Sequence, residues 1–224
     1  MFKTIILAVF VVISVNSYSQ TINWARLQKT DKHILNLNAG LDYSLTAGLG
    51  YGYQLKTKIP IIINVEYSMP FGENLIDDNK TKLGIILQFA KAGNFLFTGK
   101  VQGIFRRNEN DFVRMVNIGS DMSVTAGYYK KKWFVAGEAG FDKAIVTHFK
   151  HTKFYKEVFP NVQDGWYEPS TGGNFYYGLQ SGISFKRSDI SLRIGKVLTQ
   201  DFTTTPGLPF YIQLGYTVKL RAKK

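Results

Sequence analysis

The sequence predicts an all-β protein, an antiparallel up-and-down transmembrane β-barrel of about ten strands. Three observations lead there. First, apolar and polar residues alternate in run after run, and a period of two sends successive side chains to opposite faces of a strand. Second, the face opposite the large apolar residues repeatedly carries Gly, Asn, Gln, Asp, Glu, Lys or Arg. This is the composition of a barrel with its apolar face to lipid and its polar face to a lumen. Third, short basic connectors alternate with longer ones, as short turns and long loops do at the two ends of a membrane barrel.

The elements follow in order. Met1 to Lys3 and the apolar run Ile5 to Ile13, ending in small residues at Ser17 and Ser19, read as a secretory signal over 1–19, cleaved before Gln20. The apolar run is far shorter than the ~20 residues of a spanning helix. Residues 20–32 show no period and are expected to form a periplasmic lead-in. The barrel is expected over 33–221, with a tail at 222–224.

Its first strand, His33 to Tyr43, sets Leu35, Leu37 and Leu41 against Asn36, Asn38, Gly40 and Asp42. Leu45 to Leu55 sets Leu49, Tyr51 and Tyr53 against Gly48, Gly50 and Gly52. Ile61 to Met69 carries Glu66, and Thr81 to Lys91 carries Lys82, Gly84 and Ile86 on the polar face. Asn94 to Arg106, Val113 to Tyr128 and Trp133 to about Thr147 place Lys100, Asp121, Glu138 and Asp142 on theirs. Asn174 to Lys186, Ile190 to Thr199 and Phe210 to Leu220 complete the set, with Arg193 and Lys219 on the polar side. The short connectors lie near Lys56 to Pro60, Lys91 to Asn94, Tyr129 to Lys132 and Lys186 to Asp189. The longer ones are Pro70 to Lys80, Arg107 to Phe112, Phe149 to Gly173 and Gln200 to Pro209.

Composition narrows the function. A mean hydropathy of −0.10 is what half-apolar strands produce. The chain has no cysteine, which removes disulfides and a lipidated N-terminus. A net charge of +12 raises nucleic acid as a partner, but the lysines sit in scattered turns and form no single stripe, so no nucleic acid is expected. Turn lysines beside apolar strands suit anionic lipid headgroups or plain solvation, and outer-membrane lipid is the expected surrounding.

With Gly-Tyr-Gly-Tyr at Gly50 to Tyr53 and Ser-Met-Pro-Phe-Gly at Ser68 to Gly72, the chain resembles the small outer-membrane β-barrel proteins of diderm bacteria, above all the porin-like barrels of Bacteroidota. The resemblance is architectural and covers residues 33–221. Gln213, Gly215, Val218 and Leu220 match that group's last-strand assembly signal, which implies insertion by the barrel-assembly machinery. The tail Arg221 to Lys224 departs from the terminal aromatic many members carry.

The expected lumen set is Asp42, Glu66, Lys82, Lys100, Asp121, Glu138, Asp142, Arg193 and Lys219. A small barrel is largely filled by its own side chains, so these charges should pair and stay hydrated. A narrow pore and a buried site remain alternatives. In the longest connector, Lys153, Phe154, Tyr155, Phe159, Trp166 and Tyr167 suit an anionic glycan, a peptide or a partner protein, unless the loop folds over the mouth and buries them.

Catalytic templates fit poorly. Asp142 and His148 lie on one strand or its extension, but a rim protease of the omptin kind also needs a second acidic pair. His148 and His151 are followed by Lys150 and Lys153 where a lipid A deacylase would need serine. The histidine pair, and Glu73 with Asp77 and Asp78, lack the ligand spacing of a metal site. No cofactor, metal or catalytic residue is expected. The reading is a non-enzymatic scaffold or surface-binding barrel. A narrow channel for small solutes is its alternative, and a membrane hydrolase ranks below that. A secreted lipocalin-like barrel is the rival fold, and ten apolar faces would overfill its interior.

Overall fold

All ten expected runs are strands in the computed structural model, which describes residues 21–71, 78–170 and 172–221. The expected signal segment, the 222–224 tail, Glu73 and Asp77 lie outside the described residues. The strands are β1 (Asp31–Leu41), β2 (Leu45–Gln54), β3 (Ile61–Pro70), β4 (Asp78–Ala92), β5 (Phe95–Glu109), β6 (Val113–Tyr129), β7 (Trp133–His151), β8 (Gly165–Tyr167), β9 (Gly173–Phe185), β10 (Ser188–Thr199) and β11 (Phe210–Arg221). One helical turn, α1 (Lys153–Val158), lies between β7 and β8.

Neighbouring strands pair antiparallel, and β1 pairs with β11 to close the ring. Ten strands make the barrel, because β7 pairs with β6 on one side and β9 on the other. The short β8 pairs only with Thr147 to Phe149 of β7, above the level where β9 leaves it. Each of the ten barrel strands is thereby paired on both sides, as a lipid-embedded sheet requires.

The two ends differ. At the turn end, connectors are as short as Gly93–Asn94 and Lys186–Arg187, and both the start of β1 and the end of β11 lie there. Gly93 takes φ +63°, a left-handed conformation that a tight hairpin asks for and glycine supplies. At the loop end, β6 and β7 run to 17 and 19 residues, against 12 for β10 and β11. The surplus of up to seven residues, at ~3.3 Å each, raises a wall roughly 20 Å along the strands on one side of the mouth. A bulge re-aims β7 there: Gly119 pairs with Ala144 and Ile118 with Val146, so Ile145 is the extra residue.

The faces are inverted relative to a water-soluble barrel. Leu83, Leu179 and Leu214 are 57–60% exposed on the outer surface. Asn36, Asn64, Gln102 and Asp121 are each 1% exposed and point inward. An apolar belt around the whole circumference far exceeds the patches a soluble monomer tolerates, so the barrel needs a bilayer.

Residues 21–26 do not trail away from the barrel. Thr21, Ile22, Asn23 and Trp24 are all buried, inside its turn end. Trp24–Arg26 form one 3-10 turn capped by the Asn23 side chain, which accepts from the Ala25 N–H. The strand also begins two residues earlier than expected, at Asp31.

Candidate functional site

The lumen has three levels. At the turn end, Ile34, Ile62, Ile86, Leu96, Tyr129 and Phe134 form a dry collar around Ile22 and Trp24. All six sit one per strand on the face that otherwise carries polar residues: Ile34, Ile62, Ile86, Leu96, Tyr129 and Phe134. Only an apolar guest makes such a collar stable, and the chain supplies one. Burying Ile22 and the Trp24 ring contributes roughly 1.5–3 kcal/mol each.

Polar anchors fix the guest in register. The Asn23 amide side chain donates to the Lys130 carbonyl and to Ser184 Oγ, both at 2.8 Å. The Asn23 N–H donates to Asp189 Oδ2 at 3.1 Å, and the same oxygen takes Lys219 Nζ at 2.5 Å. Thr217 donates to the Thr21 carbonyl at 3.2 Å. Arg26 donates to the carbonyls of Lys186 and Lys131, tying the segment to two turns.

Mid-lumen, two carboxylates act as hubs. Asp121 Oδ2 accepts from Lys82 at 2.7 Å and Lys100 at 3.1 Å, and Oδ1 from the Tyr176 hydroxyl at 2.6 Å. Glu138 accepts from Arg193, from the Tyr211 hydroxyl at 2.6 Å and from Gln180 at 2.6 Å. Arg193 also donates to Gln213 at 3.1 Å and lies over the Tyr211 ring. Glu66 accepts from Asn64 and Gln102.

Glycines make room for the tyrosines. A Cβ on Gly140 would meet Tyr176 Cζ at 2.3 Å, and one on Gly178 or Gly195 would meet the Tyr211 hydroxyl at 2.4 Å. Between these hubs and the collar lies a cavity of only about 70 Å³. Water fills ~30 Å³ in the liquid, so this space suits a few waters.

Toward the loop end the lumen widens. A vestibule of about 520 Å³ is lined by Asp42, Lys80, Asp142, Tyr176, Arg193 and Tyr211 among others. A second space of about 420 Å³ adjoins it beneath the raised wall, beside Arg106, Asn117 and Phe149. Lys80 pairs with Asp42 at 2.7 Å, and Arg106 forks onto both oxygens of Asp78 at 3.0 and 2.7 Å. Tyr43 stands between Lys80 and Arg106, 4.3 and 4.2 Å from its ring centre. Burial pushes its phenol up to about 12, so it remains a neutral donor, to Ser68 Oγ. Asp142 accepts from Asn174 at 3.0 Å and makes no ion pair within 4.0 Å among the described residues.

Each expected lumen residue thus points inside, but at different levels: Lys219 at the collar, Glu66, Lys82, Lys100, Asp121, Glu138 and Arg193 in the middle, Asp42 and Asp142 in the vestibule. Sequence reasoning missed Lys80, which it assigned to a loop, and Asp189, assigned to a turn. Both become visible only as the partners of Asp42 and Lys219.

In the long loop, Thr152 caps α1 by accepting from the Tyr155 N–H. Tyr155 packs between His151, Phe112 and Phe159. Phe154, Phe159, Trp166 and Tyr167 remain about half exposed, and Lys153 is exposed. Asp164 accepts from Lys156 at 2.5 Å and from the His151 N–H at 2.8 Å, and these bonds hold its carboxyl well below the usual carboxylate range.

The histidines do not converge. His33 bonds Tyr51, His148 meets the Trp166 ring, and His151 pairs with Asp164. Among the described residues no three His, Asp or Glu gather as a metal site. Of the assembly-signal positions, Gln213 and Gly215 face the lumen and Leu220 faces out, with Val218 half-buried in the strand that closes onto β1.

No family model matches the chain, and no curated protein matches it. Among solved structures it is similar to a KdgM porin in complex with disordered oligogalacturonate, at 8% identity, 84% of this chain and 99% of that chain covered, and a TM-score of 0.42. It is also similar to a KdgM porin at 9% identity with the same coverage and a TM-score of 0.41. A likeness of that degree leaves the role of this chain to its own geometry.

Proposed function

We propose that the protein is a non-enzymatic barrel of the bacterial outer membrane, closed toward the periplasm and open outward as a ligand-binding vestibule. One observation carries this reading: residues 21–26 fill the turn end from inside, while cavities of about 520 and 420 Å³ lie at the loop end. Short turns face the periplasm in such barrels, so the plug is on the periplasmic side and the vestibule outside. Removal of 1–19 leaves Gln20 next to the buried Thr21, and the last-strand pattern serves the assembly machinery. The raised wall and the exposed loop aromatics extend the vestibule toward a surface ligand or partner.

The second reading, a narrow channel, draws on the plug being one short N-terminal segment, below cavities of about 520 and 420 Å³ at the loop end. Planar-bilayer recording of the full chain separates the two. Silent membranes, with conductance appearing only once the plug is displaced, support the binding reading. Stable conductance of the intact protein supports the channel and sinks the proposal.

A further inference from the structure

The turn end carries a one-sided charge pattern that the lumen does not explain. Every hairpin there presents an exposed cation in or beside its turn: Lys58 between β2 and β3, Lys91 near the end of β4, Lys131 between β6 and β7, and Arg187 between β9 and β10. Lys29 and Arg221 add exposed charge where the chain enters and leaves the barrel. The acids at this end are Asp31 and Asp189, buried to 4% and 0% exposure. Asp189 is consumed by Lys219 and the plug. Among the described residues the rim therefore has no exposed carboxylate to answer its cations, whereas exposed acids such as Asp111, Glu157 and Glu168 all lie at the loop end.

We infer that this rim is a docking surface for anionic phospholipid headgroups of the leaflet it faces. Two features favour lipid over a protein or a soluble polyanion. The cations are distributed over all four turns, around the whole circumference, as an annulus of lipid is. Beside the β6–β7 turn they also sit next to clustered aromatic rings: Phe95 meets Tyr128, Tyr128 meets Trp133, and Lys130 Nζ lies 5.6 Å from the Tyr128 ring centre. Aromatic rings at headgroup level with long cationic side chains beside them are the interfacial arrangement. Each lysine close to an anionic surface adds attraction that falls away within a Debye length.

The test is native mass spectrometry of the full chain in neutral detergent, offered phosphatidylglycerol or phosphatidylcholine at equal concentration. The expected result is about a tenfold preference for phosphatidylglycerol, collapsing at high salt. Replacing the rim cations of all four turns together (K58Q, K91Q, K131Q, R187Q) should abolish the preference. The same change in the outer loop (K150Q, K153Q, K156Q) should leave it intact. Equal retention of the two lipids, a preference insensitive to salt, or a loop variant that loses as much as the rim variant would overturn the inference. The salt series on the unaltered chain decides the matter if the rim variant does not fold.

Discussion

Replacing Trp24 by alanine tests the plug where its energy is concentrated. The ring is 8% exposed and packs in the collar of Ile34, Ile62, Ile86, Leu96, Tyr129 and Phe134. Removing a buried tryptophan side chain costs about 3–5 kcal/mol in a packed core. The plug has a cheaper response than cavity formation, because it can leave the mouth while the ten-strand ladder stays paired. The loss should therefore appear as plug release and not as barrel unfolding. A change of ~3 kcal/mol raises the released fraction at least a hundredfold, since 1.36 kcal/mol is a factor of ten. Hydrogen exchange of the purified chain in detergent reads this directly. Amides of 21–31 should exchange about a hundredfold faster or more in W24A, with those of β9 to β11 unchanged. Unchanged protection of 21–31 would refute the collar argument, and uniform loss across the strands would show that the segment is integral to the barrel.

The remaining predictions concern the ion pairs, the loop and the N-terminus. Lys219→Met leaves Asp189 buried without its cation, and breaking such a pair costs ~3–5 kcal/mol. The K219M chain should unfold at clearly lower temperature in detergent, with K219M/D189N recovering much of the loss. Gly140→Ala drives a Cβ to 2.3 Å from Tyr176 Cζ and pushes the hydroxyl off Asp121, and overpacking of this kind costs ~1–3 kcal/mol, read as a lower melting temperature. Asp164 is held below its unfolded value of ~3.9, so its bonds to Lys156 and His151 stabilise the loop fully above that pH and are lost as pH falls through the lower folded value. Trp166 emission should accordingly hold steady from neutral pH to about pH 4 and change only in stronger acid, whereas D164N should show the altered emission already at neutral pH. Intact mass of the protein from outer membranes should match a chain beginning at Gln20, and a mass retaining 1–19 would contradict the signal reading.

The barrel was legible because period two is a local signal. Phe210 to Leu220 announces its faces without knowledge of any other strand, and the structure has the same residues in and out. The lumen pairs were not legible, because they depend on register across strands. Lys82 on β4 and Asp121 on β6 meet across the intervening β5, and nothing local links them. The expected strand reached about Thr147 and so missed only the last residues of β7, 148–151, which lie beyond the bulge at Ile145 that breaks the alternation. The plug is the instructive omission. Its own residues have no period, yet Ile34, Ile62, Ile86, Leu96 and Phe134 each interrupt a polar face near the same barrel end. A ring of apolar residues on the lumen side is a sequence-level sign that something apolar must fill it.

Every assignment of lumen, plug and rim depends on the barrel being inverted, with apolar side chains toward lipid and charges within. Electrophoresis of the outer-membrane fraction in mild detergent, with and without boiling, tests it most directly. An inverted barrel gives a band confined to that fraction that changes mobility on heating, because the closed ladder survives the detergent until it is melted. A soluble band with the same mobility before and after boiling would mean that the faces are assigned the wrong way round.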